Sequence, residues 1–360
     1  VGSEMCIRDS HNVITHHCEI RWTEEAGFLP LTDRDVNTLW GRMNKTVGRV
    51  YLTDIYNVIH SEFVPLFNPF QSYFDHLPSW DGVSDPIGDL ADTVHVKSDQ
   101  AEFRDYFRKW FVGILPALLD DTVVNHEILV LIGEQGLYKT TWFNFLLPPE
   151  LRCYSYTKTN SDRLNKDDLF SLTEFALICF EELDGMRPAE LNQLKAMVTM
   201  PYVNERAAYG RNKERHPHIA SFCGTGNNVQ FLTDPTGNRR WLPFEVSQIR
   251  DPYLHAIPYE LVYSQAYALW KSGFCHWFSQ EEIRKLNMHN SRFEVPNLEE
   301  DLIRTHFRKP FEGEAGIFVT AADILEQISS CLRYPLSPNK IGRIMAGLEF
   351  ESIRYKGKRG

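Results

Sequence analysis

The sequence predicts an α/β fold around a parallel sheet, with an all-α lead-in before it and a small C-terminal domain after it. Three observations carry the prediction. Ile128–Ile132 is a run of five aliphatic residues ended by a glycine-rich turn, which suits a strand covered on both faces and so a parallel sheet. A second apolar run, FALICF at 175–180, stops on acidic residues, and a third, IASFCG at 219–224, leads into polar amides. On either side of this central region the large apolar residues fall three and four apart, as they do on helices.

The whole chain sets the limits within which this works. Its 360 residues are enough for two or three domains, and 43% hydrophobic with 24% charged residues is a globular composition. A net charge of −10 argues against a protein that coats nucleic acid, so any basic site is concentrated. Seven cysteines are scattered without a CxxC pair, which points to reduced thiols, not zinc or disulfides. Apolar runs are too short to span a bilayer and no signal segment is visible, so a cytoplasmic protein with no membrane partner is expected.

In chain order, residues 1–10, VGSEMCIRDS, share nothing in composition with the rest of the chain and read as a translated adapter fragment, excluded from the fold. Over 11–119 a lead-in of four or five helices is expected from DVNTLWGRMNK, YLTDIYNVIHSEF, PFQSYFDHL, PIGDLADTV and QAEFRDYFRKWFVGILPALL, with LPSWDG as turn chemistry and Trp80 as a buried anchor. The strand signals occupy 120–250. Residues 251–300 hold two helical stretches that link to a 301–360 domain. There, FVTAADILEQISSCL and SPNKIGRIMAGL are helices, the second capped by Ser337 with Pro338 at its first position, and FESIRYKGKRG is a basic β-wing. That is the order of a winged helix.

The turn after Ile132 keeps the spacing G-x-x-x-x-G-K-[ST] from Gly133 to Thr140, except that Tyr138 stands where the second glycine belongs. As a phosphate-binding loop, the backbone of Gly133, Gln135 and Gly136 and the start of the next helix at Lys139, Thr140 and Thr141 wrap the phosphates of ATP. Lys139 then meets the β and γ oxygens and Thr140 holds Mg²⁺. Glu181 and Glu182, at the end of the second run, fit the metal and catalytic-base roles, the two being interchangeable at this level. Asn227, with Asn228 in reserve, fits the sensor position of AAA+ ATPases. Arg239 and Arg240, between a turn and a strand, fit an arginine finger reaching a neighbour's nucleotide; either one could serve. Each has a plainer reading as turn or surface chemistry.

The order GEQGLYKTTW, FLLPPELR, ALICFEELDGM, LNQLKAMVT, NERAAYGRN, IASFCGTGNN and FLTDPTGNRRWLPFEV resembles the VirE/VapE family, virulence-associated protein E, over roughly residues 50–250. The resemblance implies a P-loop ATPase akin to superfamily-three helicases of phages and plasmids, acting in replication of a mobile element, often with a primase. It also implies that NERAAYGRNKERHPH carries a pore hairpin gripping single-stranded DNA through Arg206, Tyr209 and Arg211, with Lys213 and Arg215 as further candidates. The expectation is therefore an AAA+-like, Mg²⁺-dependent ATPase, a DNA helicase or translocase working as a homo-oligomer, a hexamer. The alternative is an ATPase fold that no longer hydrolyses and serves as an oligomerising scaffold recruiting a primase.

Overall fold

The computed structural model describes all residues except 1–7, 24–27, 160–165, 206–213, 234–237, 297, 312, 329–336, 356–357 and 360. The chain forms two units, Val1–Phe293 and Glu294–Gly360. The first opens with β1 (Arg8–Asn12), β2 (Cys18–Arg21) and β3 (Leu29–Pro30), then α1 (Asp33–Thr46), α2 (Leu52–Ile59), β4 (Leu66–Phe67), α3 (Pro69–Asp75), α4 (Pro86–Ala91), β5 (Val94–Val96) and α5 (Gln100–Leu119). It continues through β6 (Ile128–Ile132), α6 (Lys139–Asn144), β7 (Ser155–Lys158), α7 (Lys166–Glu174), β8 (Leu177–Phe180) and α8 (Pro188–Val198). The hairpin strands β9 (Tyr202–Glu205) and β10 (Glu214–Pro217) come next, then β11 (Ser221–Gly226), β12 (Trp241–Ile249), α9 (Tyr259–Lys271) and α10 (Gln280–Asn290).

The six-stranded sheet runs β5-β12-β6-β11-β8-β7, all parallel except the antiparallel edge β5. Successive residues of β6 serve opposite cores, as the two-residue period of a strand requires. Leu129 and Leu131 pack with α5 and α9, whereas Ile128, Val130 and Ile132 pack on the side of α8. The expected double coverage of this strand is what the fold shows. Helix α5 is capped by Asp99, whose side chain accepts from the Ala101 N–H. It buries Phe103, Phe107, Trp110, Phe111 and Ile114 completely, each worth on the order of 2 kcal/mol in transfer terms. Trp110 Nε1 donates to Phe222 O of β11 at 2.9 Å, tying the helix to the centre of the sheet.

Four points depart from the sequence reading. The lead-in is not all helical: β1 to β4 form a sheet in the order β3-β2-β1-β4, on which α1 and α2 pack through Val36, Ile55 and Ile59 against Cys18. These strands are two to five residues long, too short for alternation to register. Residues 8–10, set aside as foreign, pair with β2 from Arg8↔Arg21 to Ser10↔Glu19. Trp80 is half-buried, its indole N–H donating to Ser84 O within the turn. Finally, α9 and α10 bury Val262, Tyr263, Ala266 and Leu286 in the same core as α5, and so belong to the first unit.

Cys18, Cys179 and Cys223 are buried free thiols, while Cys153 and Cys275 are free and exposed; Cys6 and Cys331 lie outside the described residues. Among the described residues no helix is long and apolar enough to cross a membrane. The second unit holds α11 (Leu298–His306), α12 (Ala321–Ile328), α13 (Pro338–Gly347) and an antiparallel pair, β13 (Arg354–Tyr355) with β14 (Lys358–Arg359). Its small core joins Ile303, Ile324, Ile328, Ile341 and Leu348. Ser337 caps α13 by accepting from Lys340 N–H, with Pro338 first in the helix.

Candidate functional site

The parallel strands end at a cleft of about 330 Å³ lined by the turn after β6, the start of α6, the residues after β8 and the end of β11. The pairing order sets this up. Strand β11 lies between β6 and β8, so the tips of three adjacent strands contribute to one opening, where ligands of parallel sheets are held. The turn is packed tightly at its base. A Cβ on Gly133 would meet Val246 O of β12 at 2.9 Å, which only glycine allows. Gly136 has φ of +85°, and Tyr138 adopts φ +60°, ψ 17°, the left-handed region. Tyrosine thus supplies the backbone conformation that glycine usually provides in this turn, with its side chain on the cleft wall and 40% exposed.

Lys139 is the first residue of α6 and only 8% exposed. Its ammonium donates to Gly133 O and Glu134 O, both at 2.7 Å, and lies 3.4 Å from Asn227 Oδ1. Burial pushes the lysine below its usual range, and the charge of Asp184 works against that fall. Thr140, Thr141, Gln135, Glu181 and Glu182 line the same cleft. Glu182 has φ +55° and opens a 3₁₀ turn, Leu183–Gly185, that carries Asp184 back toward β11. Asp184 Oδ2 accepts from Asn228 N–H at 2.9 Å. Its Oδ1 is buried without a hydrogen-bond partner, a costly arrangement for a carboxylate and one suited to a ligand.

A virulence-associated protein E-like domain model matches residues 75–295, more than half of the chain. The chain belongs to that family. In fold this VapE-like chain is similar to the apo structure of the NrS-1 C-terminal region (305–718), at 12% identity, a TM-score of 0.52 and coverage of 98% of this chain and 94% of that one. An A-form apo structure of the same region is similar at 10% identity and a TM-score of 0.52, covering 98% and 95%. At such identities the likeness concerns the fold. No curated protein matches the chain.

The structure brings Gln135, Gly136, Lys139, Thr140, Thr141, Glu181, Glu182 and Asn227 of the VapE-like domain to one cleft, and Gly133 sits beneath it. It places Arg239 and Arg240 elsewhere. They precede Trp241, which pairs with Ile128 at the amino end of β6, so the length of β6, roughly 15 Å, separates them from the cleft of their own chain. There Arg240 is half-buried and Arg239 exposed. Burial chiefly holds the Arg240 guanidinium below its ordinary range, and Arg239 adds to that while Glu127 opposes it. Glu127 is pushed up to about 7 by burial. Arg206, Tyr209, Arg211 and Lys213 fall between β9 and β10 and lie outside the described residues. Arg215, in β10, has its guanidinium 3.5 Å from the centre of the Tyr202 ring.

Asp184 is the residue that the sequence places with Glu181 and Glu182 at the strand end but to which sequence reasoning assigns no role. The left-handed backbone at Glu182 brings its charge within reach of Lys139. A third carboxylate so close behind two others was the available signal.

Proposed function

We propose that this VapE-like chain is a P-loop ATPase that hydrolyses Mg²⁺-ATP and acts on single-stranded DNA as a helicase or translocase in the replication of a mobile element. One observation carries the proposal: Lys139, Thr140, Glu181, Glu182 and Asn227 converge from three neighbouring strand ends on one cleft, with Asp184 beside it on the turn after Glu182. The backbone of Gln135 to Thr140 would hold the β- and γ-phosphates, with Lys139 leaving the carbonyls of Gly133 and Glu134 to meet them. The residues suit magnesium held in the usual P-loop manner. Among the described residues no group of three or more metal-ligating side chains exists, and Mg²⁺ takes one or two protein oxygens, phosphates and water instead. Thr140 and Glu181 would supply those oxygens, and the unpartnered Asp184 Oδ1 would accept from a water on the ion. When bound, the ion neutralises charge growing between the β- and γ-phosphates. Glu182 takes the proton of the attacking water, and Asn227 orients that water.

The position of Arg239 and Arg240 away from their own cleft supports action across a subunit boundary in a hexamer, and the exposed Arg239 is the better finger. Arg206, Tyr209 and Arg211 would grip the DNA strand. The helices α12 and α13 with the hairpin β13–β14 would form a winged-helix-like domain contacting duplex or a primase. In an assay with single-stranded DNA, ATP turnover is expected for the parent and none for Lys139→Ala or Glu182→Gln; equal rates in all three would remove the proposal.

A second reading has its own observation. The ammonium of Lys139 is already held by two loop carbonyls, and Tyr138 keeps a side chain beside the phosphate position. On that reading the chain is a hydrolysis-deficient scaffold that oligomerises and recruits a primase. Titration with a labelled ATP analogue separates the two, since the scaffold would show no magnesium-dependent binding.

A further inference from the structure

The amino-terminal part of the first unit carries an open groove of about 390 Å³, lined among others by Asn37, Trp40 and Asn44 of α1 and by Arg49, Val50 and Tyr51 of the segment after it. Two aromatic rings on its wall stay in solvent, Trp40 at 42% and Tyr51 at 54% exposure. The indole is held in place. Trp40 Nε1 donates to Val50 O at 2.9 Å. Asn44 accepts from Val50 N–H at 3.1 Å and donates to Val50 O and Trp40 O. The turn is thereby clamped to the helix, and an edge bond fixes the indole.

The charge of this region runs against that of the chain. Residues 36–53 contain Arg42, Lys45 and Arg49 and no carboxylate, in a protein of net charge −10. All three cations are exposed or half-exposed, and none forms an ion pair among the described residues. The guanidinium of Arg49 lies 5.0 Å from the centre of the Tyr51 ring. The flanking acids are engaged in helix caps, Asp35 with Thr32 and Asp54 with Tyr51 N–H. A cationic ligand is disfavoured here, and an apolar peptide would leave the arginine and the Asn37 amide unused. Exposed aromatic rings, one of them fixed, beside a guanidinium with no ion-pair partner among the described residues are what successive bases and phosphates of an unpaired strand require.

We propose that this groove binds single-stranded nucleic acid, with bases stacked on Trp40 and Tyr51 and the phosphate chain met by Arg49. It is a second contact, apart from residues 206–213, and needs no ATP. The test is fluorescence anisotropy of the full chain with labelled oligodeoxythymidylate, without nucleotide, against a duplex of equal length. Tyr51→Ser is expected to weaken strand binding about tenfold, as loss of one stacking ring does, and Arg49→Gln to weaken it and lower its salt dependence. Both side chains are exposed, so circular dichroism should match the parent. An iododeoxyuridine-substituted strand should cross-link to Trp40 or Tyr51. Lys139→Ala keeps this binding whether or not the ATPase reading holds, which separates failure of one from failure of the other. Unchanged affinity in both variants, cross-links confined to other residues, or dissociation of a self-associated form by the same substitutions would overturn the proposal.

Discussion

Gly224 offers a sharp test of how the cleft is held together. It lies in β11, between β6 and β8, and a Cβ built there would sit 2.2 Å from Leu183 Cδ1 and 3.1 Å from Phe180 O. Leu183 belongs to the 3₁₀ turn that carries Asp184 and comes directly after Glu182. Gly224→Ala therefore has no room unless Leu183 moves, and the strand carbonyl on the other side leaves little freedom for β11 itself. Overpacking of this kind costs about 1–3 kcal/mol. Leu183→Ala, which empties a fully buried site, should cost about 2–5 kcal/mol alone. In the double variant the new methyl occupies part of the space left by leucine, so the combined loss should fall short of the sum by about 1 kcal/mol or more. Urea unfolding of the parent, the two single variants and the double variant measures all four corners of the cycle. Magnesium-dependent nucleotide turnover should drop in Gly224→Ala and recover in part in the double variant, because the acidic turn returns toward its place. Strict additivity of the stabilities would show that Leu183 does not rest on Gly224, and the account of the turn would fail.

Other expectations concern charge and anchoring. Asp184→Asn keeps the acceptor for Asn228 N–H but removes the charge near Lys139, so nucleotide turnover should fall at least about tenfold while fold stability changes little; an unchanged rate would leave the proposed metal role to Thr140 and Glu181. Burial raises the Glu127 pKa to about 7, so between the ordinary carboxyl range and pH 7 the folded chain holds more protons than the unfolded one. Stability from this group is full below that window and is lost as pH rises through it. Glu127→Gln should thus gain stability relative to the parent above pH 7, read from urea midpoints across pH. His218 works oppositely: burial lowers it to about 4 while Met200 O accepts from its ring at 2.6 Å. Its contribution is present above the usual imidazole range and lost as pH falls toward 4, and His218→Gln should flatten that limb. Trp110→Phe removes the donor to Phe222 O and should cost on the order of 1 kcal/mol beyond its packing change.

Much of the central sheet could be read from the residues alone, because runs such as Ile128–Ile132 and the apolar stretch ending at Phe180 leave few alternatives. The helices were legible from large apolar residues three and four apart, and α13 also from a cap followed by a proline at Ser337 and Pro338; the same arrangement at Asn68 with Pro69 and at Asp85 with Pro86 came only with the structure, Pro86 reading from sequence as turn chemistry. The order of strands was not, since a period of two says which faces are apolar and nothing about which neighbour pairs. The small sheet of β1 to β4 escaped because strands of two to five residues carry no period. Within the cleft, residue types announced Lys139, Thr140 and the glutamates, whereas the role of Asp184 depends on a left-handed backbone at a glutamate, which composition does not forecast. Likewise the placement of Arg239 and Arg240 at the far end of β12 comes from strand direction, a three-dimensional property.

The division of β6 between two cores has a consequence for the fidelity of assembly. All five of its side chains are aliphatic, so exchange of its two faces would set hydrocarbon against hydrocarbon within the strand and meet no hydration penalty there. What discriminates is branching: leucines face one layer, and isoleucine, valine and isoleucine face the other. Alignment of the strand, and with it the spatial position of the lysine seven residues beyond its end, is guarded by the contour of hydrocarbon groups. An exchange such as Leu129→Ile paired with Val130→Leu, neutral in hydropathy, would be expected to blur it.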